Sequence, residues 1–503
     1  MHISSNIPRR VSQFWNELKI ANVVTWNGWQ QTRNRLSLQT PTLFACVALI
    51  ALFSVPDLNW ELAVRRWNEA GAAISLLAAM AITSAAYRLR ARISGCAECF
   101  GARLANIPAH RWLLLCVIAG VLIRLVWAVT FPAPQTSDSA TYCHLAEKLL
   151  RERAYGGSTA GYAFWPPGYP FFLYVAFLGF DARPWVPLVM NLLLFAGTVS
   201  VVYQLTLRLT GKAAACVAAL VVTFWPTYVT SSGLASKEVL LACLIPTVIL
   251  IWFWSTTEGQ RPHGWLAFLA GAVLGYIALV QPSFLLLPVL LIFYEWRKAG
   301  PRRWSGLKSG LLVLGMICAI GPWTYRNWKV LHAFVPVSTN GGGVFYRSNN
   351  PLATGGYMPQ GVYSFEGVDE VQAGRIAFQQ GERWVVAHPG LFVRLAVRKE
   401  ILFLGDDAEG VYETLKRGLG ISGLRYIILK GVCNAFWWGL WILLLLTALV
   451  RRRFSERSET KLLMLTFLYL FLVHSVFESG ARYHEPVLGI LAVLAGALAA
   501  PHG

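Results

Sequence analysis

Carboxylates placed beside apolar segments are the first residues in this sequence that could do chemistry. Asp138 stands in the stretch "TSDSATYCHLAEKLL", shortly after a strongly apolar segment. Thr136, Ser137 or Asp138 could cap a helix that starts there, which would give the carboxylate a structural role. Tyr142 lies four residues on and would share the helix face of Asp138, whereas His144 lies further round. A carboxylate with Tyr and His nearby could instead act as a general base on a hydroxyl group.

A second carboxylate, Glu238, begins another apolar segment in "ASKEVLL", directly after Lys237. An acidic residue suits a helix N-terminus and a lysine suits a membrane interface, so a structural role explains both residues. If Glu238 faces the same side as Asp138, the two carboxylates could form a base with its orienting partner, or a metal-linked site. The pattern leaves both interpretations open.

Cationic and amide side chains stand at two further segment ends. Arg326 emerges just after an apolar segment, where a basic side chain often reaches lipid headgroups. Asn349 and Asn350 follow a glycine-rich turn and could offer carboxamides to sugar hydroxyls or to a phosphate. In "GARYHEP", Arg482 and Tyr483 lie between the last two apolar segments. An arginine there could grip a lipid phosphate in a forked geometry, or it could be a rim residue.

Membrane-spanning helices must position these side chains. The chain has 503 residues, of which 56% are hydrophobic and only 14% are charged, which excludes a soluble protein. Apolar runs long enough to cross a bilayer recur along nearly its whole length. The predicted spans are 41–56, 71–87, 112–131, 184–207, 213–231, 236–255, 264–280, 283–296, 306–323, 427–450, 461–478 and 485–500. Arg124 lies in the middle of a span, so it requires a buried partner.

Basic residues divide the connections between these spans into two alternating sets. The first set holds 23 Lys and Arg against 6 Asp and Glu, and it comprises the N-terminus and residues 88–111, 207–212, 256–264, 295–308 and 451–461. The second set, which includes Asp138, holds 20 against 19. The positive-inside rule places the first set in the cytoplasm and the second outside. The net charge of +19 is therefore a topology signal, and we expect no nucleic-acid partner.

One apolar segment does not fit this alternation. Residues 165–180, "WPPGYPFFLYVAFLGF", form a short segment that opens with three prolines. Counting it as a crossing would place the basic connection 295–308 outside, against the charge rule. We therefore predict a re-entrant or surface-lying helix there. Twelve spans remain, with both termini inside and the candidate residues at the outer membrane boundary.

The order of these motifs resembles that of the GT-C superfamily of membrane glycosyltransferases. The nearest branch is that of bacterial relatives of protein O-mannosyltransferases and of lipid A aminoarabinose transferases. The similarity runs from about residue 112 to residue 500, so the first two spans lie outside it. It is carried by "SDSATY", "WPPGYPFFLY", "SKEVLL", "QPS", "GPWTYRNWKVLHAFVPVSTNGGGVFYRSNNPLATGGY", "AHPGLFVRLAVRKEILF" and "ARYHEP".

The resemblance implies an all-α polytopic protein of the bacterial inner membrane, with outer-face juxtamembrane helices beside its spans. It implies transfer of a sugar from a polyprenyl-phosphate-linked donor to a hydroxyl of a lipid, glycan or protein on the periplasmic face. Asp138 would be the catalytic base and Glu238 a secondary acidic site. Relatives often carry a second acidic residue directly after that aspartate, where this chain has Ser139. This departure leaves a metal-binding pair unsupported, so we predict no metal-ligating residues. A divalent cation stays one alternative and no cofactor is certain.

The chemistry of a phosphate leaving group agrees with the cations at the outer span ends, since positive charge stabilises the departing oxygen. The residues predicted to bind the donor phosphate or the substrates are Lys237, Arg326, Arg482, Tyr483, Tyr142, His144, Asn349 and Asn350.

The predicted organisation has five parts. They are an interfacial N-terminal segment (1–40), two extra spans with a basic loop (41–111), a catalytic transmembrane core (112–323) with its first outer loop at 132–183, an outer loop (324–426) and C-terminal helices (427–503). Two other functions stay open: a transporter or flippase of lipid-linked sugars, and a polysaccharide polymerase or ligase that uses a similar donor.

Overall fold

The structure is a computed structural model that describes residues 40–56, 58, 69–157, 161–255, 263–299, 306–358 and 368–500. The predicted N-terminal segment therefore lies outside the described residues, except for Thr40. No β-strand occurs in these ranges, and helices make up most of them. The helices are α1 (Thr40–Pro56), α2 (Glu69–Ala105), α3 (Ala109–Thr130), α4 (Ser137–Glu152), α5 (Gly168–Phe180), α6 (Val186–Leu209), α7 (Lys212–Thr223), α8 (Pro226–Thr230), α9 (Lys237–Trp254), α10 (Gly264–Val280), α11 (Leu287–Ala299), α12 (Gly306–Leu331), α13 (Gly341–Ser348), α14 (Glu370–Ala387), α15 (Pro389–Gly405), α16 (Glu409–Val411), α17 (Leu424–Val450), α18 (Arg452–Ser455), α19 (Ser458–Val476) and α20 (Leu488–Gly496).

The predicted spans coincide with helices, which confirms the all-α polytopic fold. Among the described residues, α3, α6, α9, α12, α17 and α19 are long and apolar enough to cross a membrane, and α1, α5, α7 and α10 are shorter apolar helices. The other predicted spans begin within α2 or fall on α11 and α20. The segment at 165–180 forms α5, and its placement at the membrane surface or as a re-entrant helix stays a prediction.

The predicted span 213–231 is two helices and not one. α7 ends at Thr223 and α8 begins at Pro226, because a proline has no N–H to continue the hydrogen-bond ladder. Arg124 of α3 donates from Nη1 to the carbonyl oxygens of Thr223 (3.1 Å) and Gly120 (3.0 Å). Its guanidinium also lies 3.7 Å from the ring centroid of Phe195. The mid-span arginine thus has the buried partners that it requires.

Helices from both ends of the chain share one apolar core. Phe44 of α1 lies 6.1 Å from the ring of Trp441 in α17, and Trp438 donates its indole N–H to the Leu52 carbonyl at 3.0 Å. The same core includes α6, α9, α10, α19 and α20. The first predicted span therefore packs directly against the C-terminal helices.

Members of the first, basic set of connections contact one another, as the charge pattern predicts for connections on one side of the membrane. At one end of the bundle, Arg457 donates to the Leu209 carbonyl at 2.7 Å, and Lys298 pairs with Glu459 at 2.7 Å. Arg451 pairs there with Glu98 of the long basic connection. All these residues belong to the first, basic set. Which compartment this end faces stays a prediction.

The opposite end joins members of the second set. Gln135 donates to the Gly233 carbonyl and accepts from the Ala235 N–H, both at 2.8 Å. Tyr228 donates to the Glu485 carbonyl at 3.2 Å. The stretches around residues 135, 233 and 485 are therefore neighbours in space, which brings the predicted outer segments together.

The described parts of the connection 324–426 contact this second end. α14 ends at Ala387 and α15 begins at Pro389, because a proline has no N–H with which to continue the preceding helix. Glu370, at the start of α14, accepts from the backbone N–H groups of Tyr162 and Ala163, both at 2.9 Å. The connection is thus anchored to the loop that follows α4.

Glycines allow α10 and α12 to approach closely. A Cβ atom added at Gly271 would lie 1.9 Å from the Leu312 carbonyl oxygen, and one at Gly315 would lie 2.1 Å from that of Phe268. Such close backbone contact is a common way for helices to associate in lipid, where packing replaces the hydrophobic driving force.

We expect Gly315→Ala to destabilise the protein by about 2 kcal/mol or more, because the two backbones must separate to admit the methyl group. Thermal unfolding in detergent measures this. Gly310→Ala is the matched control on the same helix, since a Cβ there meets nothing within 4 Å. Equal melting temperatures for the two variants would contradict the close contact.

Candidate active site

The ion pair between Asp138 and Arg482 is the centre of the candidate site. Arg482 donates from Nη1 to Asp138 Oδ2 at 2.8 Å, across 344 residues of sequence. Both side chains are about a quarter exposed, at 29% for Asp138 and 26% for Arg482. The pair is thus accessible from the end of the bundle where the outer segments meet.

The start of α4 leaves the Asp138 carboxylate available for this contact. Ser139 Oγ accepts from the Thr136 N–H at 3.0 Å and donates to the Thr136 carbonyl at 2.7 Å. Ser137 has a left-handed backbone with φ of 52°, an uncommon conformation for a residue other than glycine. Such strained positions often occur at functional sites. Thr136, one of the three predicted caps, is thus the N-cap of α4 and Ser139 completes the capping box, so Asp138 is not needed for capping.

A small pocket of about 50 Å³ opens at the ion pair. It receives side chains from α4, from the corner before α9, from the segment after α15 and from the turn before α20. The ionisable residues among those that line it are Asp138, Tyr142, Glu238, Glu409, Glu413, Arg417, Arg482 and Glu485. Carboxylates therefore outnumber guanidinium groups around the cavity.

The charges around Asp138 keep it ionised. Burial alone would raise the pKa of this carboxyl, but the nearby charges of Arg482 and Lys237 and the hydrogen bond from Arg482 outweigh burial. The pKa of Asp138 therefore lies below its ordinary value. Burial acts to lower the pKa of Arg482, but contact with Tyr483, Asp138 and other acidic groups raises it well above its ordinary value. Both partners are charged at neutral pH.

Residues 409–417, which we call the acidic segment, bring Glu409 and Glu413 to the pocket. Its three charged pocket residues recur at every fourth position, and most of it forms a π-helical turn (Tyr412–Gly418). Such turns are frequent at functional sites. Glu413 pairs with Arg417 at 3.0 Å. Burial and the neighbouring carboxylates raise the pKa of Glu409 to about 7, although Arg482 opposes the shift.

Four of the predicted site residues line this pocket: Asp138, Glu238, Arg482 and Tyr142. Ser236 donates its hydroxyl hydrogen to Glu238 at 3.0 Å, which orients that carboxylate. Lys237 does not line the cavity, but its charge acts on Asp138. The guanidinium of Arg482 lies 5.1 Å from the ring centroid of Tyr483, so the two side chains form a cation–π contact.

Tyr483 and four other predicted site residues are placed away from the cavity or bound elsewhere. Tyr483 donates its hydroxyl hydrogen to Glu478 at 2.6 Å. Arg326 donates to the carbonyl oxygens of Tyr155 (2.8 Å) and Tyr162 (2.7 Å), so it braces the loop after α4. His144 is exposed on another face of α4.

The amides of Asn349 and Asn350 are buried and hydrogen-bonded. Asn349 donates to the Val476 carbonyl at 2.9 Å and accepts from Lys399 at 3.0 Å. Asn350 donates to the Tyr346 carbonyl at 2.8 Å. These contacts fasten α13 to α15 and α19, and a direct role of either amide in substrate binding stays a prediction.

Four ionisable residues of the pocket were not predicted from the sequence: Glu409, Glu413, Arg417 and Glu485. The first three carry a recognisable signal, because charges at every fourth position of "EGVYETLKR" would share one helical face. Glu485 lies within the quoted motif "ARYHEP", yet nothing in its spacing separates it from an ordinary helix start.

The divalent cation stays an alternative. Within the described ranges, His, Cys, Asp and Glu side chains form no group of three or more placed to hold a metal ion. We therefore assign no step to a cation.

Comparison with known proteins finds similarity only among solved structures. The sequence matches no protein-family model and no curated protein. The oligosaccharyltransferase of Archaeoglobus fulgidus in its apo form is 14% identical, with a TM-score of 0.46 over 76% of this chain and 50% of that chain. ArnT from Cupriavidus metallidurans, bound to undecaprenyl phosphate, is 14% identical, with a TM-score of 0.40 over 78% of each chain. This chain thus spans about half the length of the archaeal enzyme.

We expect Glu409 to make the protein less stable as the pH rises. The Glu409 carboxyl binds its proton more tightly in the folded chain than in the unfolded one, where the ordinary pKa is 4.5. Its stabilising effect is full below that value and is lost as the pH rises through about 7, with a change on the order of 3 kcal/mol.

Melting temperatures at about pH 5 and about pH 8 test this expectation. Glu409→Gln should show a smaller fall than the wild type between the two conditions. Glu382→Gln, at an exposed position of α14, should keep the full fall. An unchanged pH dependence in Glu409→Gln would contradict the assignment.

Proposed function

We propose that this protein transfers a sugar from a polyprenyl-phosphate-linked donor to a hydroxyl acceptor, with Asp138 as the general base. The observation that carries this proposal is the contact of 2.8 Å between the Asp138 carboxylate and the Arg482 guanidinium in an accessible pocket. It combines a base for the acceptor with a cation for a phosphate leaving group.

Each charge has a task in this reaction. The acceptor oxygen bonds to the anomeric carbon while the bond from that carbon to the phosphate oxygen breaks. Asp138 takes the proton of the acceptor hydroxyl, since its lowered pKa keeps it ionised and ready to accept. Arg482 stabilises the negative charge on the departing phosphate. A single base acting directly on the acceptor favours inversion at the anomeric carbon.

One guanidinium can serve both sides of the reaction. Arginine carries five N–H donors in a planar fork, and the contact with Asp138 uses Nη1. The other N–H groups of the guanidinium can donate to phosphate oxygens, because arginine commonly binds phosphate through two parallel hydrogen bonds. Lys237 and Arg417 bring further positive charge close to Asp138.

The surroundings of the pocket suit an amphiphilic donor. Apolar side chains on the last turns of α3 and the first turns of α17 are exposed, including Val129 (81%) and Leu424 (71%). Trp127 of α3 and Tyr426 of α17 belong to one apolar cluster with Leu415 of the acidic segment. A polyprenyl chain lying in the membrane against these helices would have its phosphate at the level of the pocket.

The topology supports an outer location for the reaction. The basic connections of the first set meet at the opposite end of the bundle from Asp138, as the contacts of Arg457 and Lys298 show. With those connections in the cytoplasm, the pocket faces outward from the bacterial inner membrane.

We expect Asp138→Asn to lower the transfer rate by about 10²-fold or more, because the amide cannot accept the acceptor proton. The measurement is the product formed from a panel of radiolabelled polyprenyl-phosphate hexoses and pentoses with purified protein. Asp181→Asn is the matched control, since that aspartate is exposed at the end of α5. Full transfer by Asp138→Asn would remove the proposed mechanism. Movement of intact labelled donor across the membrane without product would favour a transporter instead.

The acid limb of the pH–rate profile is the range in which the transfer rate falls as the base becomes protonated. We expect Arg482→Met to move this acid limb to higher pH. Without the guanidinium, burial raises the pKa of Asp138, so the base becomes protonated at a higher pH. Arg482→Lys should lower the rate, because the fork is lost, but should largely keep the limb in place, because the charge remains. An unmoved limb in Arg482→Met would show that Asp138 is not the titrating base.

A further inference from the structure

We propose that His484 and Asp407 form a positioning pair that holds Arg482 against Asp138. This inference rests on the proposed function and adds two residues that act through Arg482. His484 stands two positions after Arg482, and Asp407 stands two positions before Glu409. The pair therefore joins the two segments that approach the pocket from opposite sides.

His484 is completely buried and uses both ring nitrogens. Its Nδ1 lies 2.6 Å from the Phe403 carbonyl oxygen, and its Nε2 lies 3.1 Å from Asp407 Oδ1. The ring stacks on Trp437 with centroids 4.4 Å apart and planes 8° apart. These three contacts fix both the position and the rotation of the imidazole.

Asp407 is equally buried and is held by three residues from the start of α8 and from α17. Its Oδ2 accepts from the indole N–H of Trp225 at 2.7 Å, and its backbone N–H donates to Asn434 at 2.8 Å. The Thr227 hydroxyl donates to its backbone carbonyl. The aspartate is thus a fixed point to which the histidine is fastened.

The positions of the protons explain why the hydrogen bond between His484 and Asp407 is stable. The Phe403 carbonyl can only accept, so Nδ1 of His484 must carry a hydrogen. One further proton lies between Nε2 and Asp407 Oδ1. Whether that proton is bonded to the nitrogen or to the oxygen, one atom donates and the other accepts. The hydrogen bond persists in either case, and breaking it would leave buried polar groups without partners.

A shift of the turn that carries Arg482 would change the local field at Asp138. The ionisable groups around Asp138 there are Tyr142 from α4, Arg482 and Glu485 from the turn, Lys237 and Glu238 from α9, and Glu409, Glu413 and Arg417 from the acidic segment. Arg482 alone is in direct contact. Loss of the pair therefore acts on the base mainly through the arginine.

The decisive variant is His484→Phe, which keeps an aromatic ring on Trp437 and removes both hydrogen bonds. We expect the acid limb of the transfer rate to move to higher pH by about 1 unit, since an opposite charge within about 4–6 Å shifts a carboxyl pKa by about 1–3 units. The double variant with Arg482→Met should move the limb no further than Arg482→Met alone.

Asp407→Asn is the conservative partner variant. Its amide can donate to Nε2 of a neutral His484 while its oxygen still accepts from Trp225, so the link and the limb should both remain. Trp438→Phe is the structural control, because it loses a hydrogen bond to the Leu52 carbonyl and leaves the pair intact. It should lower stability without moving the limb.

The outcomes separate this inference from the proposed function. Wild-type protein that forms no product contradicts the proposed function itself. Active wild type, with a limb that moves in Arg482→Met but stays in place in His484→Phe, overturns the positioning role alone. If His484→Phe does not fold, His484→Gln decides, since its amide can replace only part of the bonding and should move the limb by a smaller amount. An unmoved limb in a folded His484→Gln would also overturn the inference.

Discussion

The pairing of Asp138 with Arg482 is the interaction on which the rest of this structure depends. An ionised carboxylate and a guanidinium at the end of a helical bundle are costly to desolvate unless they satisfy each other. Here one contact of 2.8 Å joins the beginning of α4 to the turn before α20. It keeps the carboxylate in its charged form and places a cation where a phosphate leaving group would need one. The two requirements of the proposed transfer are therefore met by a single geometry.

The pair has this geometry because apolar helices and buried polar links position it from several directions. The break between α7 and α8 brings Trp225 and Thr227 to Asp407, and Asp407 in turn reaches His484 beside the arginine turn. On the other side, Gln135 ties the approach to α4 to the corner before α9. These links lie under the pocket and not in it, which leaves the pocket itself to carboxylates, guanidinium groups and small polar residues.

The pocket also shows how burial divides similar acids into different roles. Asp138 has a lowered pKa because cations surround it, whereas Glu409 has a raised pKa because burial and other carboxylates dominate its surroundings. An acid that is ionised at neutral pH can accept a proton from the acceptor hydroxyl. An acid that titrates near neutral pH can donate a hydrogen bond to a sugar hydroxyl when protonated. Environments that separate the pKa values of neighbouring acids in this way are typical of sites that perform acid–base chemistry.

The sequence by itself determined the helical membrane fold, the two sets of connections and the candidates Asp138, Glu238 and Arg482, because hydropathy, charge bias and chemistry at span ends are local properties of the chain. Only the tertiary structure decided that Arg482 meets Asp138 while Arg326, Asn349 and Asn350 bind backbone carbonyls and neighbouring side chains instead. It also added Glu409 and Glu413 to the pocket and revealed the link between His484 and Asp407. These outcomes depend on how distant helices pack and rotate, and no local pattern encodes which of several polar side chains at the same membrane level will converge.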